Sequence, residues 1–165
     1  MKQRLSPEIC YIIGLCNRKK DSLYISTKED LILKKFTEII VKWLGINPGK
    51  IKIIIENENI TAYSYNSRVM KFFNEILKKR QKAFKYMNDY SSNYLSGLFD
   101  SRGFEFRNNL YFNYLDLNDQ MILENLHIHL KKQNNAYCII SQNLFVIFTK
   151  QNSIKISLLE KHKLI

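Results

Sequence analysis

Two stretches of this 165-residue chain follow one pattern, YIIGLCNRKKDSLYI at 11–25 and YLSGLFDSRGFEF at 94–106. In each, a short apolar helical segment carries a central glycine, stops, and hands over to a strand-like run. Gly14 and Gly97 hold equivalent places 83 residues apart. Such a repeat marks an internal duplication, whose halves must share one core. A glycine in each copy lets two helix backbones approach. Beside them, Ser96 would keep that face thin and Ile13 is the bulkier counterpart. Leu15, Leu98, Ile12 and Leu95 would bury in the flanking halves.

The surrounding elements support two halves, 1–89 and 90–165. Residues 7–17 read as a helix with Ser6 as N-cap and Pro7 at the first helical position. A strand follows at 22–26. An amphipathic helix over 28–45 carries Leu31, Leu33, Phe36, Ile39, Ile40, Trp43 and Leu44 and ends at Gly45. Strands at 50–55 and 60–65 flank a hairpin turn. A long helix over 67–87, with Ser67 as its cap, completes half one. Half two reads as a helix at 92–101, strands at 104–108 and 110–115, and a helix over 118–133. Strands at 136–141 and 144–150 and a helix at 153–163 close it. The order is αββαββα, with the first hairpin of half one cut to a single strand.

With 45% hydrophobic residues, ten Phe and ten Tyr, the chain can bury a real core. No apolar run reaches the roughly 18 residues of a membrane span, and the N-terminus lacks a signal-peptide pattern. We expect an intracellular, cytoplasmic protein with no membrane partner. Three cysteines are too few for a disulfide framework and too scattered for a zinc site, so they are read as reduced, with no cofactor. Lys plus Arg total 26 against 15 Asp plus Glu, a net +11, which favours a polyanionic partner.

The two glycine-bearing segments resemble the LAGLIDADG motif with its preceding tyrosine, decayed in both copies. With the duplicated order, the chain is similar to a single-chain, pseudo-twofold LAGLIDADG homing endonuclease. The resemblance implies an α+β fold of duplicated αββαββα halves, with antiparallel sheets forming a saddle and helices packed on one face. It also implies a monomer with internal pseudo-symmetry that binds double-stranded DNA. In the family, an acid at the foot of each motif helix holds the divalent metals that cut DNA.

Here the acids are replaced. Asp100 falls on the first acidic letter and Arg102 on the second. In the other copy Asn17 and Lys19 take these places, or Lys20 after a one-residue shift. Cations repel Mg²⁺ and attract phosphate, and they suit helix C-termini. Asp21 and Asp100 are the residual acids nearby. The expectation is a surface that has lost its metal-binding carboxylates and kept its DNA.

Period-two alternation nominates the DNA-facing side chains. Glu105, Arg107, Tyr111, Asn113, Tyr137 and Ser141 would point outward in half two, with Phe104, Phe106, Leu110, Phe112, Tyr114, Cys138 and Ile140 inward. Lys150 would end the last strand. Lys52, Tyr63 and Tyr65 would point outward in half one. Lys19, Lys20 and Arg102 complete the set, and the run Lys78, Lys79, Arg80, Lys82, Lys85 offers phosphate contacts. His127 and His129, two apart on a helix, would diverge rather than share a metal. Outward Ile54, Ile139, Phe145 and Ile147 are more apolar than a DNA face should be.

The leading reading is therefore an inactive, sequence- or shape-selective duplex DNA-binding protein. Alternatives are a splicing cofactor for structured intron RNA, an atypical active endonuclease using Asp21 or Asp100, and a protein-interaction module.

Overall fold

A computed structural model describes residues 4–16 and 22–163. Asn17, Lys19, Lys20 and Asp21 lie outside the described residues.

Helix α1 (Pro7–Leu15) starts where Ser6 Oγ accepts the amide of Ile9 at 3.3 Å. Every residue from Ile9 to Leu15 is buried, as expected of a helix covered on all sides. Strand β1 (Ser22–Thr27) leads to α2 (Asp30–Lys42), whose inward stripe is Ile32, Phe36, Ile39 and Ile40. Leu31 falls off that stripe and stands exposed, and Trp43, the C-cap just past the helix's last residue, is exposed as well. After Gly45 (φ +64) and a short 3₁₀ turn at Pro48–Lys50 come β2 (Lys52–Glu56) and β3 (Asn59–Tyr65). Their two-residue turn, Asn57–Glu58, has both φ values positive, the geometry of a tight hairpin.

The helix expected over 67–87 is broken. Helix α3 (Ser67–Lys78) is capped by the Asn66 side chain, not by Ser67, and ends at Lys79; α4 (Arg80–Ala83) follows at once. The break lets Arg80 reach Asp116 and lets the ring of Phe84 stack on Tyr94 at 4.2 Å, contacts that outweigh continued helix.

In the second part, α5 (Asp89–Arg102) begins with a capping box on Asn88 and is buried from Ser91 to Asp100. Strands β4 (Gly103–Phe106) and β5 (Asn109–Phe112) precede α6 (Leu117–Asn125). Two expectations fail after α6. The run LHIHLKKQ leaves the helix at His127, whose φ is +59, and becomes β6 (Leu130–Gln133). Strand β7 (Ala136–Ile139) pairs with it, and LFVIFTK is the helix α7 (Gln142–Thr149). Its Phe145 packs on Phe99 and Phe112, so burial of one helical face overrides β-branched and aromatic strand preference. Helix α8 (Ile154–Lys163) follows.

The strands form two antiparallel sheets, β1-β3-β2 and β4-β5-β7-β6. Residues from both parts of the chain join in one hydrophobic core. Among the described residues no helix is long and apolar enough to cross a membrane.

Candidate nucleic-acid interface

Helices α1 and α5 meet through their backbones. A β-carbon on Gly14 would lie 2.9 Å from the amide nitrogen of Leu98, and one on Gly97 2.9 Å from that of Leu15. The two contacts are reciprocal. Ile13 is buried, whereas Ser96 turns its hydroxyl to the carbonyls of Ser92 (2.7 Å) and Thr149 (3.3 Å), facing α7.

Among the described residues, the acids near this seam are engaged. Asp100 is buried and accepts from Ser153 Oγ (2.6 Å) and the Lys155 amide (2.9 Å) on one oxygen. Its other oxygen accepts from Tyr11 Oη (2.7 Å) and the Ile154 amide (2.8 Å). Four donors fill a carboxylate's four acceptor sites, and the negative charge sits at the N-terminus of α8. Burial, then the charge of Asp100, pushes the Tyr11 phenol well above its ordinary range. Lys35 Nζ lies 3.7 Å over the Tyr11 ring and donates to the Asn152 carbonyl, while Lys155 Nζ donates to Gly103 O at 2.7 Å. Burial lowers the pKa of both lysines, with Asp100 opposing.

Arg102, the last residue of α5, is turned into the protein. Its guanidinium is 11% exposed, stands 3.6 Å from the buried carboxylate of Asp119, and lies over the Tyr114 ring at 5.6 Å. Asp119 also accepts from Tyr94 Oη (2.5 Å) and pairs with Arg80 Nε (3.3 Å), and Arg80 reaches Asp116 at 2.5 Å. A divalent ion needs carboxylate oxygens open to it. Here Asp100 is saturated and Asp119 is held between the guanidinium groups of Arg80 and Arg102. The described residues do not fit a divalent ion at this seam.

The sheets carry the rest of the candidate surface. In β3, Ile60, Ala62 and Ser64 are buried, while Thr61, Tyr63 and Tyr65 face the other side as expected. Register puts Lys52, Ile54 and Tyr24 on that open side, Lys52 and Tyr24 both opposite Tyr63. Tyr24 and Thr61 were missed, although the alternation of SLYIST and NITAYSY carries the signal. All of β2 is exposed, including Ile53 and Ile55 on the helix side.

In the second sheet, Leu110 and Phe112 face the core and Tyr111 faces out. Phe104 pairs with Tyr111 and stacks on it at 5.3 Å, so Phe104 and Phe106 belong to the open side and Glu105 to the helix side, the reverse of expectation. Strand β7 is reversed too. Cys138 pairs with Tyr111, but Tyr137 pairs with buried Phe112, so Tyr137 and Ile139 face inward and Ile140 is exposed. Tyr137 accepts from Gln120 Nε2 at 3.2 Å. Lys131, opposite Cys138, and Gln133, which accepts from Tyr111 Oη at 3.3 Å, join the open side; reading them as helical had hidden both.

The remaining nominated residues are scattered. Arg107 is a turn residue (φ +49) with its guanidinium 5.1 Å over the Phe106 ring. Asn113 and Tyr114 are exposed beyond β5, so Tyr114 is not inward. Ser141 accepts the His129 amide at 3.1 Å, and Lys150 caps α7 instead of ending a strand. Phe145 is buried, and Ile147 is exposed on α7. Lys78, Lys79, Lys82 and Lys85 are exposed, and Arg80 is buried. His129 lies 3.4 Å from Glu124, outside any helix.

In architecture the chain is similar to homing endonucleases. Solved structures of I-DmoI are among those it matches. One, of mesophilic variants of that enzyme, superposes with a TM-score of 0.69 at 15% identity over 94% of this chain and 98% of the other. A second, I-DmoI with DNA and calcium, gives 0.69 at 16% identity with the same coverage. A third, with DNA and manganese, gives 0.62 at 14% identity over 84% and 92%. At such identities the likeness is one of fold. No protein-family model and no curated protein matches the sequence.

Proposed function

We propose that this protein binds double-stranded DNA across the open sides of its two sheets, as a monomer of two pseudo-equivalent halves (1–89 and 90–165), and does not cut it. The observation that carries the reading is the make-up of those sides. Tyr24, Thr61, Tyr63, Tyr65 and Lys52 line one, and Phe104, Tyr111, Lys131 and Gln133 the other. Hydroxyls, amides and ammonium groups on a β-ribbon suit base edges and phosphates in a major groove. The net charge of +11 supports it, as does the likeness to structures of I-DmoI with DNA.

Loss of cutting is supported by the engaged acids at the α1–α5 seam. Phosphoester hydrolysis of this kind needs a metal clamp, and Asp119, with Arg102 3.6 Å away as a counter-ion, is not left open to a metal. The test is selection of bound duplexes from a random pool, then incubation of the enriched sequence with Mg²⁺ or Mn²⁺. We expect enrichment without double-strand cuts. Metal-dependent cutting would overturn the inactive reading, and tighter binding of structured RNA at equal salt would overturn the duplex reading.

A further inference from the structure

We propose a second nucleic-acid site, bordering the first sheet's open side at Tyr65 and otherwise distinct from the sheet faces, that takes an unpaired strand. A cleft of about 1100 Å³ opens between the N-terminal segment, the end of α2 and the start of α3. Four cations line it: Arg4, Lys42, Lys50 and Arg68. None of the described residues lining it is acidic, and none of the four cations is ion-paired among the described residues. All four are exposed.

Two large aromatic rings share the cleft and stay open to solvent, Trp43 at 43% and Tyr65 at 67% exposure. Both are out of the core for a local reason. Trp43 is the C-cap of α2, one residue past the helix's last residue, with Lys42 Nζ 5.8 Å over its ring. Tyr65 ends β3 on its open side.

The start of α3 adds a third component. Asn66 Oδ1 takes the amide of Val69 (3.1 Å) and the Asn66 carbonyl that of Met70 (3.0 Å). The amides of Ser67 and Arg68 have no acceptor among the described residues, and Ser67 and Arg68 both line the cleft. Free first-turn amides favour an anionic oxygen.

A cleft with cations, free amides and exposed aromatics matches a backbone with accessible bases better than a duplex. Stacking between successive base pairs of a duplex hides the faces that Trp43 and Tyr65 would stack on, whereas a single strand can offer a face at every nucleotide. Tyr65 is common to the cleft and the duplex surface, whereas Lys42, Trp43, Lys50 and Arg68 lie outside the open sides of both sheets and belong to the cleft alone.

Trp43 is the chain's one tryptophan, so its emission reports on this cleft directly. The experiment titrates the full chain with oligothymidylate and oligouridylate of about twelve nucleotides, and with a blunt duplex, at one salt concentration. Both single strands should quench Trp43, and their relative affinities distinguish a DNA from an RNA source. Lys50→Ala/Arg68→Ala should weaken single-strand binding by about tenfold or more. Followed by anisotropy of labelled strands, Trp43→Ala should lose about tenfold while Trp43→Phe keeps most of the affinity. Anisotropy of a labelled duplex reads the sheet faces independently and should change less than about twofold in all three variants. Absence of quenching, single-strand affinity indifferent to these substitutions, or equal loss of duplex binding would each overturn the proposal. Failure of duplex binding alone would sink the function proposed above and leave this site standing.

Discussion

The glycine of α1 and the tyrosine that opens the second motif meet backbone to backbone: a β-carbon on Gly14 would stand 2.1 Å from the carbonyl oxygen of Tyr94. The reciprocal approach, Gly97 to the carbonyl of Tyr11, is 2.0 Å. A peptide carbonyl inside a helix cannot swing aside as a side chain can. Gly14→Ala and Gly97→Ala should each cost about 3 kcal/mol, the upper end of overpacking penalties. Gly45→Asn, where φ is +64 and nothing lies within 4 Å, should cost less than about 1 kcal/mol. Urea midpoints of the three variants test the ranking; an unchanged midpoint for either alanine variant would refute the close seam.

Arg102 is a buried counter-ion by its contacts. Arg102→Ala should remove one of the cations beside the buried Asp119 carboxylate and cost about 3 kcal/mol, the loss typical of breaking a buried pair from one side. Duplex affinity should change little by comparison. A stable variant with strongly weakened DNA binding would instead place the guanidinium on a phosphate.

Asp100 ties α5 to the start of α8 through three donors, Ser153 Oγ and the backbone amides of Ile154 and Lys155, and to α1 through Tyr11 Oη. Asp100→Asn turns an acceptor-only group into one that must present an NH₂ to those donors. We expect a loss of about 2 to 3 kcal/mol and faster hydrogen exchange at both amides. Unchanged protection would show that the α8 cap does not depend on the carboxylate.

The two glycines and the tyrosines before them were enough to place the α1–α5 seam in the sequence, because backbone proximity has a signature that no other residue can supply. Strand phase was harder. Phe104 and Phe106 look like core residues, yet a β-carbon at Gly103 would lie 2.2 Å from the Phe99 ring, so Gly103 must face the core. Parity then sends both phenylalanines to the open side. For β6, the readable clue was an Asn-Asn pair at 134–135, a hairpin turn with Asn134 at φ +54, masked by the helical look of LHIHLKK. The helix α7 carried no such clue. Its Phe145 and Thr149 are buried one turn apart, and only the tertiary partners Phe99 and Phe112 distinguish that spacing from a strand.

Burial of Cys10 and Cys16 makes stability fall in alkali. Each thiol is pushed from its ordinary 9.0 up to about 12. Between these values the unfolded chain releases both protons while the native one keeps them, so stability drops by up to about 1.4 kcal/mol per pH unit for each thiol. Tyr11, raised by burial, adds a fall of the same sign above its ordinary 10.0. Lys35 and Lys155, lowered by burial, act oppositely as pH climbs toward 10.5. A Cys10→Ala/Cys16→Ala variant isolates the thiols, and the stability gap between it and the parent should move against the parent as pH rises above 9. A gap independent of pH would refute the burial effect.

The open sides can be tested against the helix sides of the same strands. Lys52 and Lys131 face out opposite Tyr63 and Cys138, so Lys52→Ala and Lys131→Ala should each lower the slope of log affinity against log salt by about 1 for duplex DNA. Tyr63→Ala and Tyr111→Ala should weaken duplex binding with little effect on the urea midpoint, since both rings are only half-buried. Tyr137 points the other way, where its hydroxyl accepts from Gln120. Tyr137→Phe should therefore cost about 1 kcal/mol of stability and leave both affinity and salt slope unchanged. If Tyr137→Phe instead weakened binding and the two lysine variants did not flatten the slope, the duplex would lie elsewhere on the molecule.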